Sequence, residues 1–123
     1  MTTISSTIRE YPKHAYAKIA EGVLGKKYDL SLVFVGADRA QSLNKKYRKK
    51  TYVPNVLSFP LDDTSGEIYI CPNVAKREAS KFHMTYRQYV GYLFIHGLLH
   101  LKGYDHGDTM ERKERTLMRS YIT

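Results

Sequence analysis

Three of the chain's five histidines fall within one short stretch, "HGLLHLKGYDH" at 96–106, as His96, His100 and His106. Residues four apart lie one turn from each other on the same helix face, so imidazoles at 96 and 100 can grip a single ion. Gly103 follows three residues after His100. Glycine tolerates φ > 0, which ends a helix and turns the chain back, and His106 can then swing in as a third ligand. Three ring nitrogens with a fourth position left open for water is how catalytic zinc is usually held. From Tyr89 to Leu101 no residue is charged at neutral pH with the histidines neutral. A helix apolar all round is a buried helix, and two histidines inside it need partners, because an unpaired polar group out of water is costly. A metal supplies them. The plainer alternative, unrelated histidines satisfied by hydrogen bonds, suits a lone histidine better than this trio. A closed structural zinc needs a fourth ligand, commonly cysteine, and the single Cys71 sits at a strand end with no partner motif.

The spacing matches the metzincin peptidase pattern H-E-x-x-H-x-x-G-x-x-H except at one position, where Gly97 replaces the glutamate. In those peptidases that glutamate takes the proton from water on the zinc. Its absence argues against peptide hydrolysis by that route.

The elements around this stretch can be read from periodicity and punctuation. "TTISSTIR" (2–9) is a weak first strand, and Pro12 can open a helix over "KHAYAKIAEGVL" that Gly25 ends. "DLSLVFVG" (29–36) alternates and is a buried strand. Asp38 with Gln41 fits a capping box for a helix over about 39–48. "VLSFP" (56–60) is a short strand stopped by Pro60. "LDDTSG" is turn chemistry, and "EIYIC" (67–71) is the next strand, hairpin-paired with the last. Asn73 can cap a helix to about residue 82. Thr85 with Gln88 boxes the histidine helix, and Asp108 with Glu111 boxes a final charged one. The order β, α, β, α, β, β, α, α, α predicts an α/β (α+β) domain, with a small mixed sheet of about four strands and helices packed on it.

The chain has 123 residues, enough for one core and one domain over 1–123. Its net charge is +8 with histidines neutral, which favours a polyanionic partner, nucleic acid before membrane. One cysteine excludes an internal disulfide and suits a reducing compartment. No signal peptide is evident at "MTTISSTIREYPKH", and the most apolar run is too short to span a bilayer, which takes roughly 20 residues. A soluble cytoplasmic protein is the expectation.

"HGLLHLKGYDH" matches, at every fixed position, H-G-x-L-H-L-x-G-Y-D-H of the YbeY family of bacterial endoribonucleases that act in ribosomal RNA maturation. Two further blocks resemble it. "LNKKYRKK" with "NVLSFP" is similar to L-N-x-x-Y-R and P-T-N-V-L-S-F-P, and "GEIYICPNVAKREA" to the family's G-D/E-I-x-I strand and following helix. Together they cover roughly residues 29 to 115. The chain departs where P-T-N-V becomes Val53-Pro54-Asn55-Val56, where K-D becomes Lys50-Thr51, in a short loop between the central strands, and in a short tail after Ile122.

The resemblance implies one zinc ion on His96, His100 and His106. It implies an RNA substrate, ribosomal RNA (16S rRNA) with the ribosomal subunit as a possible partner, and a catalytic arginine at Arg48. A guanidinium can clamp the oxygens of a phosphodiester as negative charge grows on them. Asp105 is a candidate to orient a histidine through its ring N–H, or equally to cap the turn. "KKYRKK" (45–50) puts Lys45, Lys46, Lys49 and Lys50 around Tyr47 and Arg48, a surface for phosphates with a ring for stacking. It is equally a helix C-terminus, where the dipole favours cations in any protein. "KREASK" (76–81) and "RKER" (112–115) read as solvated helix faces. Tyr86, Tyr89 and Tyr92 lie at helical spacing, which suits packing, and Tyr104 is placed to face substrate. His14 and His83 read as ordinary. Two rivals remain beside the endoribonuclease: a ribosome-associated RNA-binding protein with a structural metal, and a zinc hydrolase of another substrate such as a peptide.

Overall fold

The structure is a computed structural model and describes residues 1–122. The nine expected elements appear in the expected order: β1 (Thr2–Ser6), α1 (Tyr16–Leu24), β2 (Asp29–Phe34), α2 (Ala37–Arg48), β3 (Val56–Asp62), β4 (Ser65–Ile70), α3 (Pro72–Glu78), α4 (Tyr86–Lys102) and α5 (Asp108–Tyr121). A 3₁₀ turn, Ala79–Phe82, extends α3. The sheet runs β1-β2-β4-β3, with β1, β2 and β4 parallel and β3 antiparallel to β4. This is the mixed four-stranded α+β architecture that the alternation of periods predicts.

The strands alternate as half-buried strands must. In β2, Leu30, Leu32 and Phe34 point into the core, and in β4 Ile68 and Ile70 join them. Helix α4 lies across that face. Val90, Phe94, Ile95 and Leu98 are fully buried in it, and α1, α3 and α5 pack around its remaining sides. That central position is why its sequence is apolar on every face.

Several boundaries differ from the sequence expectation. Helix α1 begins at Tyr16 rather than beside Pro12. The residues between are held elsewhere: Tyr11 stacks on Phe34 at 4.0 Å, His14 Nε2 donates to the Arg87 carbonyl (2.8 Å), and the Tyr16 hydroxyl donates to the Pro12 carbonyl. Asp38 does not cap α2. Gly36 is the cap residue, and the Gln41 amide donates instead to the Thr51 carbonyl (2.8 Å). β3 continues through Pro60 to Asp62, because β3 is an edge strand and a missing N–H is tolerated there. Asn73 is not a cap, since α3 starts one residue earlier at Pro72, with Cys71 before it. Helix α5 is preceded by Gly107 and has no side-chain cap; Asp108 and Glu111 complement the dipole in its first turn instead.

Helix α4 follows its local signals. Thr85 Oγ1 accepts from the Gln88 N–H (3.1 Å) and Gln88 returns an acceptor to the Thr85 N–H (2.9 Å), a complete capping box. Its end is Gly103 at φ 106°, whose N–H and that of Tyr104 close on the carbonyls of His100 and Leu99. A side chain at that φ costs about 1–2 kcal/mol. Gly103→Ala is therefore expected to lower unfolding free energy by about that amount, read as a shifted denaturant midpoint at unchanged slope.

Candidate metal centre

His96 and His100 stand on α4, and His106 returns to them through the turn at Gly103. Their rings converge: centroids are 4.6 Å apart for His96 and His100, 5.0 Å for His96 and His106, and 4.7 Å for His100 and His106. One nitrogen from each lies within 4.8 Å of the others, so the three form a group able to hold a metal ion.

The hydrogen bonds on the far side of two rings settle their tautomers. His96 Nδ1 is 2.5 Å from Glu114 Oε2, and His100 Nδ1 is 3.0 Å from the Tyr104 carbonyl. Both partners are acceptors, so both Nδ1 atoms carry the proton and donate. With the rings neutral, both Nε2 atoms are then bare, and they face each other at 3.1 Å. Two lone pairs that close repel unless a cation sits between them. A proton can serve two nitrogens, whereas a metal ion serves three, and a third imidazole is present. The donor set therefore fits a divalent ion that accepts imidazole nitrogen.

His100 has its pKa lowered, first by burial and then by the neighbouring His96 and His106, against the Tyr104 carbonyl and Asp105, which raise it. The lowered pKa favours the neutral form that a metal needs. Asp105, a candidate to orient one of the histidines or to cap the turn, acts on His100 through its charge; the Nδ1 atoms of His96 and His100 are held by Glu114 and by the Tyr104 carbonyl.

Glu114 was missed. It lies inside "RKER", a stretch that reads as solvated, yet it is only 5% exposed. The signal was available: Glu114 is four residues after Met110 and three before Leu117, on the apolar face of α5, where a carboxylate needs a partner. The Tyr92 hydroxyl lies against the same carboxylate. Burial and that carboxylate push its pKa up to about 12, so it remains a donor.

The three histidines line one side of a cavity of about 500 Å³. Arg48, at the last turn of α2, lines it too, with Tyr52, Asn55, Val56 and Ser58 from the following loop and β3. The structure thus brings Arg48 to the trio. Lys45, Lys46, Lys49 and Lys50 are exposed and do not line the cavity. Tyr47 packs on Phe59 at 5.4 Å, with the Lys46 ammonium 5.3 Å from its ring centroid. Tyr104 faces a separate cleft beside Lys102 and Lys113 rather than the cavity. Asn55, Ser58 and Tyr52 were not singled out as site residues. Asn55 is braced, its amide donating to Glu78 (3.0 Å) while its oxygen accepts from the Val56 N–H. Ser58 Oγ donates to the Gly97 carbonyl (3.1 Å).

Gly97 is where α4 rests on the sheet. A Cβ there would meet Ser58 Oγ at 2.9 Å and Ile68 Cδ1 at 3.1 Å. Any side chain at this position requires Ser58 and Ile68 to shift, so packing as well as identity disfavours the peptidase glutamate.

Two outcomes follow. Gly97→Ala is expected to cost about 1–3 kcal/mol by overpacking, measured by denaturant unfolding. His100 in the unfolded chain titrates at its ordinary value of 6.5 and in the folded chain lower. The folded state therefore binds fewer protons in that interval, and stability rises with pH. The contribution is present above 6.5 and is lost as pH falls through the folded value. Unfolding of the metal-free protein across that range is expected to show this slope, and His100→Gln to flatten it; His14, also lowered by burial, contributes with the same sign.

A family model described as Endoribonuclease YbeY matches residues 2–122. Relatives carrying that name include a Bdellovibrio bacteriovorus protein, 45% identical over 80 residues, covering 63% of this chain and 53% of that one. A Mesoplasma florum protein is 36% identical over 105 residues (76% and 62%), and one from Neisseria meningitidis is 33% identical over 126 residues (89% and 72%). The chain thus spans 53% and 62% of the length of the first two. The solution structure of TM1509 from Thermotoga maritima superposes with a TM-score of 0.67 at 26% identity, over 97% of this chain and 87% of that one. With a match running from β1 to the end of α5, and through the histidine helix that the fold holds at its centre, the chain belongs to the YbeY family.

Proposed function

We propose that residues 1–123 form a single metal-dependent endoribonuclease domain that cuts single-stranded RNA, acting in the cytoplasm on 16S rRNA maturation and ribosome quality control, with one zinc ion as cofactor. The observation that carries this reading is the meeting, in one cavity, of three converging imidazoles and Arg48, whose guanidinium has no ion-pair partner among the described residues. The names of the relatives supply the reaction class.

His96, His100 and His106 would hold the ion. When bound, zinc supplies Lewis acidity toward water and toward a phosphoryl oxygen. The remaining roles belong to the chain. Arg48 binds the scissile phosphate, presenting paired N–H donors to oxygens on which charge develops. Glu114 keeps the His96 ring in the tautomer whose Nε2 is free, and the Tyr104 carbonyl does the same for His100. Apart from Arg87, no lysine or arginine among the described residues is in a salt bridge, so most of the positive surface is available to a polyanion. Among the described residues no helix is long and apolar enough to cross a membrane.

The purified protein is expected to carry one metal ion per chain and to cleave unstructured RNA. His100→Ala should lose metal and activity together. Arg48→Ala should keep metal and lose about 100-fold in kcat/KM, the scale of one lost transition-state donor, with Arg48→Lys recovering little because it cannot bind bidentately. Fully metal-loaded wild type that cuts no RNA overturns the reading. Glu114→Gln is expected to weaken metal binding about 10–100-fold, measured by chelator competition, while the fold is kept.

A further inference from the structure

We propose that Tyr52 is a nucleobase-stacking subsite at the mouth of the metal cavity, taking one unpaired base next to the phosphodiester that Arg48 binds. The proposal rests on the endoribonuclease reading and names what that site selects.

Tyr52 lines the same cavity as Arg48 and His106, and is 54% exposed. Exposed aromatics elsewhere in the chain are packed: Tyr47 against Phe59, and Phe82 stacked on Tyr89 at 5.2 Å. The Tyr52 ring has no aromatic or cationic neighbour of this kind among the described residues. Its backbone, by contrast, is firmly held. Lys49 turns the chain at φ 59°, and the Lys50 N–H donates to the Asn44 carbonyl (3.2 Å). The Gln41 amide donates to the Thr51 carbonyl, and the Asn44 amide donates to the Tyr52 carbonyl itself (3.0 Å). Asn44 is fully buried, and its Oδ1 has no hydrogen-bond partner. A buried amide with one unsatisfied atom is costly. Here it fixes the backbone beneath an aromatic ring that has no aromatic packing partner. The result is a ring on a fixed backbone, presented to solvent in the cavity that Arg48 and the histidines line.

The chemistry that recognises such a ring is a π-face. Base–aromatic stacking is worth about 1–3 kcal/mol and tolerates any base, because every base has a face. A base inside a duplex is already stacked on both sides and cannot reach it. A strand whose phosphate sits at Arg48 can offer a splayed base to Tyr52 only if that base is unpaired. Preference for single strands would therefore originate at this loop, which is also where the chain departs from the family's P-T-N-V segment.

The test uses the metal-loaded full chain and an unstructured oligoribonucleotide. Tyr52→Ala is expected to raise KM on the order of tenfold, the fold-change of one lost stack, with kcat changing far less. Tyr52→Phe and Tyr52→Trp should keep the wild-type KM, which separates a stacking role from a folding defect. An abasic residue walked along the oligonucleotide should raise the wild-type KM at one position, and that penalty should vanish in Tyr52→Ala. A wild-type KM in Tyr52→Ala, or an abasic penalty that persists in it, overturns the subsite while leaving the endoribonuclease reading intact. Wild type that cuts no RNA at any position overturns both.

Discussion

The contact on which the centre depends is the one between Glu114 and His96. A carboxylate on the buried face of α5 meets an imidazole nitrogen on the apolar helix α4, and neither element explains its charged or polar residue alone. Removing His96 would leave the Glu114 carboxylate buried without its strongest neighbour, which is the costly outcome in a low dielectric. The pair therefore fixes how α5 lies on α4. It also fixes which His96 nitrogen is bare, and so turns that nitrogen toward His100. His100 is prepared in the same way by a backbone carbonyl that exists only because Gly103 ends the helix where it does. Fold and site are one set of hydrogen bonds.

The opposite wall of the cavity follows from a close approach. Gly97 lets α4 lie against β3 and β4, near enough for Ser58 to donate to its carbonyl. That approach brings the edge strand and the loop before it, with Asn55 and Ser58, to the histidines. A larger residue at 97 would have to displace the Ser58 hydroxyl and the Ile68 side chain. The glycine that removes the peptidase base is thus also the residue that lets a β-strand form the cavity's other side.

The parts of this architecture legible in the sequence are those whose cause is local. Histidines four apart, a threonine–glutamine box at Thr85 and a glycine after the last turn specify α4 and its trio through helix geometry alone. The capping boxes at Asp38 and Asp108 look the same in sequence and fail, because Gln41 has a better acceptor in the Thr51 carbonyl and Gly107 already makes the turn. Asp105 illustrates the same limit. It is adjacent in sequence to His106, but the residue that reaches His96 lies eighteen positions beyond that histidine. Glu114 is hidden by its neighbours Arg112, Lys113 and Arg115, which are exposed; only the apolar period of α5 separates it from them. Local pattern identifies the three histidines. Their supports come from long-range contacts that no window of sequence contains.

"KKYRKK" shows how a generic and a specific explanation can both hold. Lys45, Lys46 and Arg48 occupy the last turn of α2, where the partial negative charge of the helix end stabilises cations in any protein. That effect acts on all of them and selects none. Selection comes from the turn that follows. Lys49 adopts φ 59°, and the loop beyond it is tied back to α2 by two side-chain amides. The helix end therefore stops at one rotation, with Arg48 on the cavity and Tyr47 on Phe59. The surrounding lysines raise the local potential, which favours the approach of a polyanion without choosing its geometry. One cation among five becomes a site residue because the chain is locked immediately after it.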